Sequence, residues 1–268
     1  MSLAELPGAS GVWPAVRMVA RADIGLQRSN NEDAVGIHPQ LQPWPAAVLA
    51  DGMGGYNAGE VASAMAVDLI AVAVQRGPGG DESPDLAAKE LADALHMANT
   101  AIFAASQSTP ACRGMGTTVV AALVLKGEIL LAHLGDSRAY AWRQGRLLRI
   151  TRDHSLVQQE IDAGLLSEQE AKASRFSHLV TRALGVMPEV EPELTHWPLQ
   201  VGDRIMLCSD GLTDMLSDQC LQSLFAEVPP LPLLLDTLIA AANAAGGKDN
   251  VSVVLMEADT KDRPAAAA

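Results

Sequence analysis

The sequence predicts an α+β fold in which antiparallel sheets are covered by helices. Three observations lead there. Between 115 and 151, the strand-like runs GTTVVAALVL, EILLAHL, SRAYAWR and RLLRIT are broken by Lys126-Gly127 and Gln144-Gly145. Strands joined by such tight turns are antiparallel, because a parallel pair needs a long crossover. Two helical stretches precede this block, and further helices and strands follow it, which suits sheets with helices packed on them rather than a Rossmann-type sheet.

Taken in order, residues 1–14 are rich in Gly, Pro and Ala and are expected to form a flexible N-terminus. Short strands are expected at 15–25, 33–38 and 46–50. A helix should follow Gly59, since Val61, Met65, Leu69 and Val72 fall at helical spacing. RGPGGDESPD at 76–85 reads as a loop, and Ser83 or Asp85 then caps a second helix to about Ser106. After the strand block, 155–184 reads as helical and irregular. DRIMLCS at 203–209 and NVSVVLM at 250–256 are two more strands, with an apolar helix over about 230–245 between them that ends near Gly246-Gly247. Residues 258–268, ending KDRPAAAA, are expected to be a flexible tail. No linker divides residues 15–257, which are expected to form a single domain, and no repeat occurs at solenoid spacing.

Hydrophobic residues make up 49% of the 268, enough for a sizeable core. Lys plus Arg number 19 against 32 Asp plus Glu, a net charge of −13, so a nucleic-acid partner bound by phosphate neutralisation is not expected. Cys112, Cys208 and Cys220 do not form a disulfide framework. MSLAELPGAS does not read as a signal peptide, and the apolar run around 61–74 is interrupted by Asp68 and short for a bilayer span. A cytoplasmic protein without membrane association is the expectation.

Four aspartates stand where an apolar run meets a turn: Asp51 in VLADGMGG, Asp136 in AHLGDSR, Asp210 in LCSDG and Asp249 in GGKDNVSVV. One Asp-Gly at a strand end is usually only a turn. Four carboxylates at strand ends repel one another unless positive charge lies between them, and hard divalent cations prefer such oxygen ligands. The glycine in Asp51-Gly52 and Asp210-Gly211 lets the chain turn sharply and bring a carbonyl near a ligand. In RSNNED at 28–33, Arg28 lies five residues before Asp33 with Glu32 between them. Arg28 has the geometry to fork two hydrogen bonds to a phosphate, although the segment taken alone reads as a solvated charged loop.

RSNNED, VLADGMGGYNAGEVAS, GMGTTVV, AHLGDSRAY, TRDHSLVQQ, TRALG, LCSDGLTDML and GGKDNVSVV occur in one order. Together they resemble the successive motifs of the metal-dependent PPM, or PP2C-like, protein Ser/Thr phosphatases in their bacterial form, from about Ala15 to Met256. The resemblance implies a four-layer α-β-β-α sandwich, two antiparallel sheets face to face with helices outside and Mn²⁺ or Mg²⁺ in a cleft at one edge. By motif match, Asp51 bridges two cations and Gly52 offers its carbonyl. Asp210 and Asp249 complete the first site, and Glu32 acts through water. Asp136 with Asp210 matches a third site. Arg28 binds the substrate phosphate, Asp33 orients it or nearby waters, and Asn250 supports the Asp249 turn. The implied reaction is in-line attack on phosphorus by a water or hydroxide shared between two cations, with Arg28 stabilising the phosphoryl charge. The implied substrates are phosphoserine and phosphothreonine proteins, with a cognate Ser/Thr kinase as the opposing partner in bacterial signalling.

Met53 stands where animal members carry a His proposed as general acid. His154 in RDHS is the tempting replacement, but a His at a strand end is more often a hydrogen-bonding partner. The stretch around 160–185 corresponds to a flap, and its SRFSH replaces the HPxRN frequent in relatives. Other phosphatase chemistries fail on spacing. The positions six after the cysteines are Thr118, Asp214 and Ala226 rather than Arg, no Asp-x-Asp occurs, and no phosphate loop with Gly-x4-Gly-Lys is present. A binding module without catalysis, or an esterase for small phosphate esters, are the competing readings. A module would be expected to have lost at least one of these carboxylates.

Overall fold

A computed structural model describes residues 15–55, 58–75, 83–172, 174–176 and 178–259. The expected flexible N-terminus, most of the loop at 76–85 and the tail beyond Asp259 lie outside the described residues.

The chain opens with strands β1 (Ala15–Asp23), β2 (Asp33–His38) and β3 (Ala46–Met53) and helices α1 (Ala58–Gln75) and α2 (Pro84–Ser108). Next come β4 (Gly116–Thr117), β5 (Val119–Leu125), β6 (Glu128–Leu134), β7 (Arg138–Arg143) and β8 (Arg146–Arg149). The remainder is α3 (Leu156–Asp162), α4 (Glu168–Lys172), β9 (Glu193–Pro198), β10 (Arg204–Cys208), α5 (Asp210–Thr213), α6 (Asp218–Ala226), α7 (Leu231–Ala244) and β11 (Val251–Asp259). One sheet runs β1-β11-β10-β7-β8 and the other β2-β3-β5-β6-β9, with β4 paired to β3. Every pairing is antiparallel.

The turns behave as their residues require. Gln144 and Gly145 both take positive φ, 50° and 79°, the two left-handed positions of a two-residue hairpin turn whose twist matches its strands. Ser83, not Asp85, caps α2: its hydroxyl accepts from the Leu86 amide at 3.3 Å, with Pro84 in the first turn.

Period-two alternation assigns each strand's side chains to one of three cores. Val48, Ala50, Val119, Ala121, Leu123, Leu130 and Ala132 face α1 and α2. Their neighbours Ala47, Leu49, Val120, Ala122, Ile129 and Leu131 face the other sheet, meeting Ala139, Ala141, Ile205, Leu207, Val254 and Met256. The outer face of that second sheet, through Tyr140, Trp142, Met206, Cys208, Val253 and Leu255, packs on α5, α6 and α7. Three cores between four layers make the α-β-β-α sandwich. Each fully buried Leu, Ile or Val contributes about 1.5–3 kcal/mol, so the face assignment of each strand is strongly enforced. Helix α1 is long and apolar enough to cross a membrane, but half of it is buried inside the protein, where Ala62, Ala66, Ile70 and Val74 pack in the first core.

Four features differ from expectation. Strand β3 continues to Met53 because Gly52 and Met53 pair with Thr117 and Gly116. Strand β11 continues to Asp259, past the expected start of the tail, because Ala258 and Asp259 pair with Val16 and Ala15. Strand β9 is an edge strand with an intermediate or exposed pattern throughout, so it lacks the apolar run that marks the inner strands. Helix α6 buries only Leu221 and Phe225, a stripe too thin to stand out.

A methyl group on Gly52 would lie 2.1 Å from the Gly59 carbonyl oxygen and 2.6 Å from that of Glu32. Backbone atoms cannot step aside as a side-chain tip can. Gly52→Ala is therefore expected to lower unfolding stability by about 1–3 kcal/mol or more, measured by denaturant titration. Wild-type stability would mean that the start of α1 packs less tightly on β3.

Candidate metal centre

All four strand-end aspartates come to one edge of the sandwich, because antiparallel pairing sets the end of one strand beside the start of the next. Asp51 is near the end of β3, and Asp33 opens β2 directly opposite it in the register. Asp210 follows β10 and Asp249 precedes β11, strands paired so that Cys208 faces Val253. Asp136 lies in the turn before β7, whose first residue Arg138 faces Cys208.

Hydrogen bonds fix the backbone at each position. The Asp51 carbonyl accepts from the Thr118 amide and from Thr117 Oγ1, both at 2.9 Å, and the Asp51 amide donates to Thr118 Oγ1 at 3.2 Å. The Gly52 amide donates to the Glu32 carbonyl at 3.0 Å, and the Glu32 amide donates to Asn250 Oδ1 at 2.8 Å. Asn250 Nδ2 donates to the carbonyls of Ile24 and Asn30, both at 2.9 Å, while its own amide donates to Asp249 Oδ1 at 2.8 Å. One asparagine thus ties the Arg28–Asp33 segment to the start of β11. Arg28 is half exposed and its Nη2 pairs with Asp249 Oδ2 at 2.5 Å. Asp33 turns inward, where its Oδ2 accepts from Ser209 Oγ at 2.8 Å.

The electrostatics are those of crowded acids. Burial, and then the neighbouring charges of Asp33, Asp210 and Asp136, push the Asp51 carboxyl well above its usual value. Burial, then Asp136, Asp214 and Asp249, do the same to Asp210. Burial raises Asp33 and Asp136 to about 6 each; Asp249 adds to the rise at Asp33, and Asp153 to that at Asp136. Burial raises Glu32, with Arg28 opposing. These groups perturb one another, so they form one site. Asp214 belongs with them and was not anticipated from the sequence. The signal available was its position four residues after Asp210, one helical turn on, where its amide donates to the Asp210 carbonyl at 2.7 Å.

Oxygen-only donors, buried and mutually repelling, are a ligand set for Mg²⁺ or Mn²⁺ rather than for a soft metal. Asp51 lies within side-chain hydrogen-bonding reach of Asp33 and of Asp210. Among the described residues, the group of three whose ligand atoms all lie within 4.8 Å is His133, His154 and Glu193 instead. Several acidic side chains converging on one cleft could hold more than one such cation.

Around this centre, Met53 ends β3 beside Gly116. His154 is buried and bonded to the Gly135 turn. Burial, and then His133, hold its imidazole below the ordinary value. The stretch around 160–185 contains α4 and then irregular chain, clipped back by the Thr181 amide to the His154 carbonyl (2.7 Å) and the Leu184 amide to the Thr117 carbonyl (2.9 Å).

The profile of the protein phosphatase 2C family matches residues 27–242. The chain belongs to that family. It is 41% identical over 242 residues to the serine/threonine protein phosphatase PstP of Mycobacterium tuberculosis, covering 90% of this chain but 45% of PstP; it therefore spans under half the length of that relative. The serine/threonine phosphatase stp of Listeria monocytogenes is 36% identical over 243 residues, which cover 89% of this chain and 94% of stp. Among solved structures, the catalytic domain of PstP in complex with two manganese ions superposes with a TM-score of 0.79 at 39% identity, covering 91% of this chain and 98% of that one. The family profile spans Arg28, Glu32, Asp33, Asp51, Asp136 and Asp210 and ends before Asp249.

The raised acids set the pH dependence of stability. Their folded values lie above 3.8, the usual aspartate value, so the stability they contribute is present below about 3.8 and is lost as pH rises through about 6. Metal-free protein is expected to melt at a lower temperature at pH 7.5 than at pH 5.5, and Mn²⁺ should restore most at the higher pH because it binds the folded state. Asp210→Asn should flatten the metal-free profile. Thermal melts by circular dichroism check this; an identical slope in wild type and variant would mean that Asp210 carries no repulsion.

Proposed function

We propose that this protein is a metal-dependent protein Ser/Thr phosphatase. The observation that carries the reading is the convergence of Glu32, Asp33, Asp51, Asp136, Asp210 and Asp249 on one edge, with the Arg28 guanidinium at the exposed rim, in a chain of the protein phosphatase 2C family. A buried acid cluster repels a phosphate dianion unless cations intervene, so substrate and metal must be handled together.

In this reading, Asp51, Asp210 and Asp249 with the Gly52 carbonyl hold two Mn²⁺ or Mg²⁺ ions, Glu32 supports them through water, and Asp136 with Asp210 holds a third. When bound, the ions supply a hydrolytic water of lowered pKa and neutralise phosphoryl charge. Arg28 has its guanidinium half in solvent, so it is free to exchange Asp249 for a phosphate, to which it offers a planar fork of donors. Asp33 and Asn250 hold the backbone and the Ser209 hydroxyl around these groups. Phosphoserine and phosphothreonine proteins are the substrates we assign, and a cognate Ser/Thr kinase is the partner we expect to oppose the activity. The Mycobacterium and Listeria relatives, both named serine/threonine phosphatases, support this assignment.

Hydrolysis of a phosphothreonine peptide is expected with Mn²⁺ and should vanish with chelator. Peptide binding without turnover under any metal would favour a binding module, and turnover of small phosphate esters alone would favour the esterase reading. Asp51→Ala or Asp210→Ala should lower kcat by at least about 10³-fold, as expected when charge stabilisation of the reacting group is lost, while keeping the fold by circular dichroism. Full activity in either would refute the site. Arg28→Ala should chiefly raise KM, by roughly 10-fold for a lost charged hydrogen bond; unchanged kinetics would remove Arg28 from it.

A further inference from the structure

The β6–β7 turn that carries Asp136 is held from behind by a segment the proposed mechanism does not use. Gly135 has φ +110°, and a methyl group there would lie 2.6 Å from Thr118 Cβ. Both of its backbone polar groups go to one residue: its amide donates to His154 Nδ1 at 3.2 Å, and its carbonyl accepts from the His154 amide at 2.8 Å. The same segment grips the first residues of β7, since Asp153 pairs with Arg138 at 2.7 Å and Thr151 Oγ1 accepts from the Ala139 amide at 2.9 Å.

The backbone donor fixes the tautomer. An amide N–H can only donate, so His154 Nδ1 holds the lone pair and Nε2 carries the proton in the neutral ring, directed at Glu193 Oε2 3.3 Å away. The ring is stacked on His133, with centroids 4.6 Å apart and planes 7° from parallel. His133 is fixed in turn, since its Nε2 must donate to the Arg152 carbonyl at 2.9 Å. His133, His154 and Glu193 look like a cation site by distance, and His133 Nδ1 is buried without a partner. The tautomer argues against that use. A cation at His154 Nε2 would have to drive its proton to Nδ1, straight at the Gly135 N–H. The cluster is built to aim a hydrogen-bond acceptor at the turn.

We propose that His154 is a positioning residue for Asp136, its Nδ1 acceptor fixing the Leu134–Gly135 peptide while its backbone amide holds the Gly135 carbonyl, so that the turn presents the Asp136 carboxylate to the acid cluster. His133 sets the plane of the ring, and Glu193 holds the proton on Nε2. The inference rests on the reading of Asp136 as a cation ligand, and it gives the motif residue His154 a role other than proton donation.

The test compares His154→Asn, which keeps an acceptor near the place of Nδ1, with His154→Leu and His154→Gln, which remove it. Direct Mn²⁺ binding to the full chain is followed by calorimetry and by paramagnetic resonance of free Mn²⁺, with Asp136→Ala defining which Mn²⁺ is in question. That ion should bind roughly 10–100-fold more weakly in His154→Leu and His154→Gln, the usual cost of losing a residue that orients a ligand. Affinity in His154→Asn should stay within about threefold of wild type. If His154→Leu does not fold, the Gln and Asn pair decides alone. Wild-type affinity in His154→Gln, or equal losses in Gln and Asn, would overturn the proposal. An Mn²⁺ isotherm unchanged by Asp136→Ala would also overturn it, by removing Asp136 as a ligand, while chelator-sensitive hydrolysis through Asp51 would leave the phosphatase reading standing.

Discussion

Repulsion among buried carboxylates is the constraint around which this molecule is arranged. Burial leaves few waters to solvate these acids, and Asp33, Asp136 and Asp210 each further raise the free energy of the charged form of Asp51, as Asp33 and Asp136 do for Asp210. A hydrophobic sandwich could be built more stably with apolar residues at these strand ends. Their presence costs stability in the metal-free chain, and the cost is offset only when positive charge enters the cleft. Function and folding therefore draw on the same interaction with opposite signs.

The rest of the sandwich keeps those charges from relaxing apart. Three apolar cores hold the strands in register, so a carboxylate cannot retreat without a whole strand slipping. Close backbone contacts remove the remaining freedom: Gly211 approaches the Asn250 carbonyl so nearly that a methyl group would lie 2.0 Å from it. Neutral side chains finish the work. Asn250 spends its amide on the Arg28–Asp33 segment, Ser209 gives its hydroxyl proton to Asp33 and accepts from the Ser252 amide at 2.9 Å, and Thr118 meets Ser137 at 2.8 Å. None of these adds charge, so they can pin the acids without neutralising them.

Arg28 and Arg138 hold their charges in contrasting settings. Arg138 is largely buried and bonded to Asp153, which Arg149 also contacts, and its guanidinium is held above its already high ordinary value by that carboxylate, against the effect of burial. It is committed to the frame. Arg28 shares a single half-exposed carboxylate, Asp249, a contact weakened by solvent and so open to exchange.

Much of this was readable from the chain alone, for reasons that are local. Inner strands such as β5 and β10 must be continuous apolar runs, Gly145 must follow a hairpin's requirement for positive φ, and Ser83 must satisfy a helix's free amides; each is decided within a few residues. The strand-end acids were legible as types and places. Strand β9 and helix α6 were not, because edge elements bury little and leave little pattern. Asp214 was not, because its relevance depends on facing Asp136 and Asp210. The sequence by itself determined most of the elements, the buried faces of the inner strands and the identity of the strand-end acids. Only the tertiary structure decided that Arg28 pairs with Asp249, that Asp33 turns to Ser209, and that His154 supports the Asp136 turn. These contacts join residues far apart in the chain, and side-chain partners at that separation follow from how layers pack rather than from any spacing along it.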